Sequence, residues 1–538
     1  MAIFVFTVYV LFVQIYFIQA LKPNVLFVIV DDLRPALGCY GDKNAFTPYI
    51  DSFSLKSIKF NNAFVQQALC APSRNSLLTG RRPDTLHLYD FYSYWRHVAG
   101  NFTTLPQYFK ENGYHTVSIG KVFHPGISSN WSDDQPYSWS EPPYHPPSEN
   151  FKEAAVCRGP KGKLMRNLVC PVNVEFQPGE TLPDLESLDA AVDFLERVPR
   201  TDKKPFFLTV GFHKPHVPLK FPKFYLDFHP LKSVRLPSNR WQPPSLPLVA
   251  WNPWTDVRKR DDIAALNISF PFGRIPDNTV QLIRQGYYAA VTYIDYLFGQ
   301  LVGKLMELKL LDETIVVLTG DHGWSLGEHG EWSKYSNFDV AVRVPLLVYV
   351  PHMTEVPLAS DALVELVDIF PSLVDLTNVS MAPPLCPTDS KNIRLCTEGI
   401  SFVPLIRQAM TSPFGKSTFN WKTGVFSQYP RPGLFPTQKP NSDKPRLNQI
   451  RVMGYSLRTL RHRYTEWVRF DRDTLTPDWS RVYARELYDH KLDPNENFNL
   501  SDREMLEELM SILSKQLRAG WRYNLPKSFL KFCPVVMA

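Results

Sequence analysis

Short apolar, β-branched runs recur along the chain, and side chains capable of chemistry follow each of them closely. Asn24–Val30 precedes Asp31 and Asp32, residues 114–119 precede Lys121 and His124, residues 205–210 precede His213, and residues 313–319 precede Asp321 and His322. Runs of this length, almost wholly apolar and separated by helical patterns, predict strands buried on both faces of a parallel sheet. Ligands of open α/β sheets sit beyond the carboxyl ends of the strands, so the pattern predicts one sheet edge to which four segments deliver Asp, Lys and His. The wetness of loops accounts for polarity at strand ends, but not for this choice of residues.

Helical patterns fill the gaps. Residues 105–112 close with Gly113 in the usual C-terminal role, and residues 185–198 repeat apolar positions at helical spacing. A longer helix is predicted over roughly 280–308, and its stripe of Tyr287, Tyr288, Val291, Ile294, Leu297 and Phe298 reads as core. Residues 135–147 and 236–254, rich in Pro and Trp, predict long ordered surface loops. Beyond Cys396 the character changes: turn-rich sequence runs through Gly433 and Pro440, then strand-like residues 453–460 and 464–470, then a helix from about residue 501 to 517. That order predicts a small antiparallel sheet covered by a helix. A boundary near Ser412 divides the chain into 21–411 and 412–538.

Length and charge narrow the function classes. A chain of 538 residues, 44% hydrophobic, buries a large core and is too long for one small module. Its 59 basic residues exceed its 53 acidic ones by six, which suits anionic substrates mildly and lacks the concentrated basic stripe of a nucleic-acid binder. The first 21 residues carry no charge and end in Ile18-Gln19-Ala20 before the first strand-like run. They read as a secretory signal, residues 1–20, cleaved near Ala20. The absent basic start and the long apolar run leave an uncleaved anchor as the alternative. Sequons at Asn101, Asn130, Asn267, Asn378 and Asn499 agree with the secretory route, as glycosylation sites. Of seven cysteines, Cys157 with Cys170 and Cys386 with Cys396 are close enough in sequence for each pair to clip a local loop. Cys39, Cys70 and Cys533 remain, and an odd count fits either one cysteine consumed by other chemistry or a free thiol.

The chemistry centres on Leu69-Cys70-Ala71-Pro72-Ser73-Arg74. Pro72 suits the first helical position, which would set Cys70 just before a helix N-terminus, where free N–H groups and the macrodipole favour anions and Arg74 adds charge. An anion site and a nucleophile then coincide. Asp31 and Asp32 with Asp321 and His322 supply hard oxygen ligands and one imidazole for a divalent cation beside Cys70; Ca²⁺ and Mg²⁺ suit the oxygens, and the imidazole is unusual for calcium.

The order C-x-P-S-R followed by Leu78-Thr79-Gly80 resembles the signature of the sulfatases. Longer strings narrow this to the branch acting on uronate sulfates: Asp31-Asp32-Leu33-Arg34-Pro35, Cys39–Lys43, Gly80–Thr85, Gly120–Gly126, His213-Lys214-Pro215-His216, Gly327–Trp332 and Lys334–Asp339. The resemblance implies an alkaline-phosphatase-like α/β sandwich, with a large, mostly parallel central sheet flanked by helices, and a smaller C-terminal α+β subdomain carrying an antiparallel sheet. It implies that Cys70 is oxidised to formylglycine by the formylglycine-generating enzyme, that Ca²⁺ is bound in preference to Mg²⁺, and that the enzyme removes the 2-O-sulfate of terminal iduronate in heparan and dermatan sulfate. Lysosomal action follows, with the mannose-6-phosphate receptor as a partner, a secreted form, and no stable membrane insertion. Residue by residue, the resemblance carries the nucleophile to Cys70, metal ligation to Asp31, Asp32, Cys70, Asp321 and His322, and sulfate-pocket roles to Arg74, Lys121, His124, His213 and Lys334. His213 is then the acid for the departing alkoxide and His124 the base that frees the sulfate.

The uronate carboxylate demands a cation of its own. Lys334 beside Tyr335, near Trp324, is the sequence's candidate for that contact. Three departures from the branch stand out: Gly320 where serine is usual, which would loosen the metal-bearing turn, Arg343 where histidine is common, and a shorter stretch between Asp361 and Cys396, which bears on proteolytic maturation between the domains. Two other classes compete: a phosphate or phosphonate monoester hydrolase of related fold, and a silent glycosaminoglycan-binding protein whose Cys70 stays a thiol.

Overall fold

A computed structural model describes residues 22–198, 204–411, 420–439 and 442–526. The candidate signal, Cys533 and the boundary at Ser412 lie outside the described residues. In chain order, the principal strands are β1 (Asn24–Val30), β2 (Ile58–Phe64), β3 (His115–Gly120), β4 (Phe206–Phe212), β5 (Thr314–Gly320), β6 (Arg343–Tyr349), β7 (Leu358–Glu365), β8 (Val425–Arg431), β9 (Val452–Arg458), β10 (His462–Asp471) and β11 (Thr476–Asp489). The principal helices are α1 (Cys70–Thr79), α2 (Pro183–Arg197), α3 (Asp277–Glu307) and α4 (Glu507–Ala519).

The first seven strands form one sheet in the order β7-β2-β6-β5-β1-β4-β3. β3, β4, β1 and β5 run parallel, and only β6 runs against its neighbours β5 and β2. Successive side chains of β1 point to opposite faces, as pleating requires. Leu26, Val28 and Val30 pack into a core shared with α2 and with Tyr287, Ile294 and Phe298 of α3. Val25, Phe27 and Ile29 pack into a second core with Leu77 and Leu78 of α1 and Phe370. The sheet is thus covered on both sides, which is why its central strands read as continuous apolar runs.

Register carries the functional residues to one level. Val30 pairs with Phe212 on one side and Gly320 on the other, so Asp31, His213 and Asp321 each stand one residue beyond the same row. Lys121 follows Gly120, which pairs with Gly211. Here glycine is a steric requirement: a Cβ on Gly211 would lie 1.9 Å from the Lys121 carbonyl oxygen. Gly320 is explained similarly. A Cβ there would meet the Leu33 carbonyl oxygen at 2.3 Å, so the glycine brings the two ligand-bearing turns into close contact and does not loosen them. Arg343 lies away from the reacting centre, its Nε donating to the Asn61 carbonyl at 2.9 Å.

The remaining four strands form an antiparallel sheet, β8-β9-β10-β11, covered by α4 through Leu513 and Leu517 against Leu457, Tyr464 and Val468. Leu69, Tyr335 and Phe338 share a cluster with Tyr429, Val452, Trp467 and Tyr488, so this second sheet packs directly behind the loops that carry Cys70 and Lys334. Both proposed disulfides are present, Cys157–Cys170 and Cys386–Cys396. Asn101, Asn130, Asn267 and Asn378 are exposed. Asn499 is a correction: it is buried, its Nδ2 donates to the Ser245 carbonyl at 2.8 Å and the Arg485 carbonyl at 3.3 Å, and its Oδ1 accepts from Leu487 N, so the amide is occupied as a structural brace and not as a glycan acceptor. Among the described residues, no helix is long and apolar enough to cross a membrane.

Candidate active site

Cys70 is the first residue of α1, a helix buried along its whole length that closes at Gly80 with φ 64°. Pro72 therefore takes the third helical position and not the first, still within the opening turn, where a missing N–H costs no helical bond. The thiol is enclosed. Its Sγ lies 3.2 Å from Lys334 Nζ, 3.3 Å from His322 Nε2 and 3.5 Å from Asp31 Oδ1. Burial pushes this thiol up to about 12, so unmodified Cys70 is protonated and a poor nucleophile.

Three carboxylates converge beside it. Asp31, Cys70, Asp321 and His322 each offer a ligand atom within 4.8 Å of one another, all from buried residues. Asp32 joins them through Lys334 Nζ at 2.6 Å and His322 Nδ1 at 3.4 Å, and its own N–H donates to Asp321 Oδ1 at 3.0 Å. Burial pushes Asp32 up to about 6 against the pull of Lys334, and Asp321 up to about 7 against the pull of Arg74. Asp31 is buried too, but Lys121, His216, Arg74 and Lys334 together hold its carboxyl well below the usual range. The donor set fits a divalent cation. Asp32 Oδ2 is buried with no hydrogen-bond partner among the described residues, and burial keeps the His322 imidazole neutral, the form that ligates a metal.

The cations are placed against this acidic floor. Lys121 Nζ donates to Asp31 Oδ2. Arg74 is fully buried, its Nε donating to Asp321 Oδ2 at 2.8 Å and its Nη1 to the carbonyls of Lys121 and Val122. Its Nε and Nη1 are thus held by Asp321 and the turn after β3, so that it positions the carboxylates, while its Nη2 lies 3.4 Å from Asp31 Oδ1 and is buried with no hydrogen-bond partner among the described residues. Three basic groups balance three acidic ones, so an added divalent ion leaves the site positive and ready for an anion.

Three histidines line the approach. His213 is clamped by buried Asp184, whose Oδ1 accepts from its backbone N–H at 2.6 Å and lies 3.2 Å from its Nδ1; Nε2 faces Glu149 at 3.8 Å. His124 is held well below its usual range by burial and by Lys121, and its ring packs against Phe91 at 4.5 Å between ring centres, tilted by 32°. His216 forms a ligand-distance cluster with Asp32 and Cys70 and is likewise kept neutral by burial. Sequence reasoning gave no role to His216 or Asp184. The His213-Lys214-Pro215-His216 string contained the first, but no spacing rule ranks one of its histidines over the other.

The substrate contacts expected of Lys334, Tyr335 and Trp324 need correction. The Lys334 ammonium is committed to Asp32 and Cys70, at the reacting centre. Tyr335 is 2% exposed and its hydroxyl donates to Asp256 Oδ2 at 2.8 Å. Trp324 is 1% exposed and stacks on Tyr287 at 5.8 Å, forming the floor under the site; Tyr287 in turn donates to the Asp32 carbonyl at 2.7 Å. The α3 stripe thus braces a ligand-bearing turn while remaining core.

Lys334 is held from behind by Asn252, whose Nδ2 donates to the Lys334 carbonyl at 2.5 Å and whose N–H donates to Glu331 Oε1 at 2.8 Å. Burial pushes Glu331 up to about 8, with Glu486 adding to the rise and Asn252, Arg431 and Arg463 opposing it. The folded state therefore keeps a proton on Glu331 that the unfolded chain loses above its ordinary value of 4.5. This contribution to stability is fully present at or below that value and is lost as pH rises toward 8. Thermal unfolding from pH 5 to pH 8 is expected to show a fall in Tm that Glu331→Gln reduces; an identical pH slope in the variant contradicts the assignment.

Comparison with known proteins accords with this arrangement. Residues 23–379 match the model of the sulfatase family. Iduronate 2-sulfatase of Mus musculus is 50% identical over 505 residues, covering 89% of this chain and 90% of that protein. Its Homo sapiens counterpart is 49% identical over 516 residues, covering 91% and 93%. Among solved structures, a phosphonate monoester hydrolase from Silicibacter pomeroyi superposes with a TM-score of 0.68 at 19% identity, covering 94% of this chain and 96% of that one. That likeness establishes the fold alone, which ester hydrolases of different chemistry share.

Proposed function

The chain belongs to the sulfatase family, and from that premise we propose that it hydrolyses the 2-O-sulfate of iduronate at the ends of heparan and dermatan sulfate chains. One observation carries the reading: a single cysteine at the start of a buried helix, with Lys334, His322 and Asp31 all within 3.5 Å of its sulfur. As formylglycine hydrate, residue 70 supplies an oxygen nucleophile and a second hydroxyl whose deprotonation releases sulfate, while a divalent cation, calcium in preference to magnesium, supplies fixed positive charge. Asp31, Asp32, Asp321 and His322 would hold that cation, with residue 70 as a further ligand.

The chain's other residues do the rest. Lys334 and Lys121 present ammonium charge where the ester's anionic oxygens repel any attacker, and Arg74 fixes the carboxylates that orient both. Asp184 holds His213 Nδ1, leaving Nε2 to give the proton to the departing sugar oxygen. His124, kept neutral, accepts the proton in the second step. The disulfides and the four exposed sequons support a secretory route, with lysosomal action, receptor-borne sorting through mannose 6-phosphate, a secreted form and conversion of Cys70 by the formylglycine-generating enzyme as parts of the same reading. We read 21–411 as the catalytic domain and 412–538 as a C-terminal subdomain.

The discriminating assay offers secreted protein a fluorogenic iduronate 2-sulfate, a phosphate monoester and a phosphonate monoester. Preferred turnover of the sulfate is expected. Preference for either phosphorus ester transfers the site to the other hydrolase class, and turnover of none leaves a binding protein.

A further inference from the structure

A sulfated uronate carries two anionic groups on one ring, and the site described so far answers only the sulfate. Lys121, Lys334 and Arg74 are each tied to Asp31, Asp32 or Asp321, and Trp324 and Tyr335 are buried. A second cation stands among the neighbours of these groups, and the C-terminal subdomain supplies it. Lys444 lies over the ring of Phe91 at 5.5 Å and over the ring of Tyr335 at 6.0 Å. Phe91 packs against the His124 ring, and Tyr335 directly follows Lys334, whose ammonium touches Cys70. Lys444 is therefore flanked by the neighbours of two groups at the reacting centre.

Its backbone is fixed and its head group is not. The preceding residue, Asp443, is buried; its Oδ2 accepts from the Thr255 N–H and hydroxyl, both at 2.6 Å, and its carbonyl accepts from the Tyr429 hydroxyl at 2.7 Å. Pro445, which follows, is buried as well, whereas Lys444 is partly exposed. Among the described residues, no carboxylate lies within ion-pair distance of its ammonium, so aromatic faces are its only charge-stabilising neighbours there. A lysine held at a rigid loop, partly desolvated between two rings and without an anionic partner, is arranged to receive one.

We propose that Lys444 recognises the carboxylate of the uronate whose sulfate is bound at residue 70. This rests on the sulfatase reading above and deepens it. It assigns the second sheet a part in substrate selection, which the packing of that sheet behind the Cys70 and Tyr335 loops makes geometrically natural.

The test compares two fluorogenic 2-sulfates that differ at one carbon, an iduronide and its carboxyl-reduced idoside. In Lys444→Gln, KM for the iduronide is expected to rise about tenfold or more with kcat nearly unchanged, while kinetics on the idoside stay at the wild-type level. Lys444→Arg should restore part of the KM. Arg446→Gln, which removes the next exposed cation on the same loop, should leave the discrimination intact and so exclude a diffuse effect of net charge. The assignment is overturned if Lys444→Gln weakens both substrates equally or neither. Wild-type protein that hydrolyses neither 2-sulfate overturns the sulfatase reading itself, and the proposal with it. An unchanged Tm in Lys444→Gln separates lost recognition from lost folding.

Discussion

Replacing Cys70 with alanine is expected to lower kcat/KM for a sulfate ester by a factor on the order of 10⁶, the scale of loss when a covalent catalyst is deprived of its nucleophile. The fold should survive, because alanine is an excellent former of the first turn of α1 and the deletion removes one sulfur from a polar floor, a change worth roughly 1 kcal/mol. Lys334, His322 and Asp31 all converge on that sulfur. The variant should therefore unfold close to the wild-type temperature and still bind substrate. Mass spectrometry of the wild-type tryptic peptide from Phe60 to Arg74 gives an independent reading: an aldehyde mass is expected. A peptide found only as the thiol, from cells able to convert it, removes the oxygen nucleophile on which the reaction depends. Residual turnover of Cys70→Ala within about a hundredfold of wild type would place the nucleophile elsewhere.

The parts of this site that were legible in the sequence share one property: they follow buried strands. Asp31, Lys121, His213 and Asp321 stand just past apolar runs, and the parallel register alone brings them level. The strands missed on the other side of the sheet lack that signal. β6 contains Pro345, which the structure places at an irregularity between Val344 and Leu346, where a missing N–H is tolerated. β7 is an edge strand in which exposed Ala359 and Asp361 flank half-buried Ser360, so its first half carries no apolar run to read. Adjacency in sequence does not make residues neighbours in the pocket: Ser333 and Tyr335 both adopt positive φ, near 69°, and the chain twists so that Lys334 points to Cys70 while Tyr335 turns to Asp256. Asp184 and Lys444 come from a helix and from a distant loop. Nothing local marks them, because their roles arise only when α2 packs under β4 and the second sheet packs behind the first.

Removing a divalent ion held by these carboxylates should produce the second large effect, and it can be read without any assay of turnover. Asp31, Asp32 and Asp321 are fully buried within one small volume, and Asp32 Oδ2 has no hydrogen-bond partner among the described residues. Leaving a buried charge unpaired is costly, and the lysines and arginine already engaged there cannot answer every oxygen. Dialysis against a chelator is expected to lower Tm by roughly 2–4 °C, the shift for an ion held at about a hundred times its Kd in a chain of this size. Elemental analysis of the untreated protein should return one equivalent, calcium in preference to magnesium, since a set of several carboxylate oxygens suits the larger, more flexibly coordinated ion. Adding calcium back should restore both Tm and sulfatase activity. Asp32→Ala should abolish the stoichiometric metal and make the chelator's effect on Tm vanish, because the protein would then be apo from the start. If stripped and untreated protein unfold at the same temperature with no metal in either, the three carboxylates are balanced by Lys121, Lys334 and Arg74 alone, and the positive charge required to attract an anionic ester would have to come from those side chains, already neutralised in pairs.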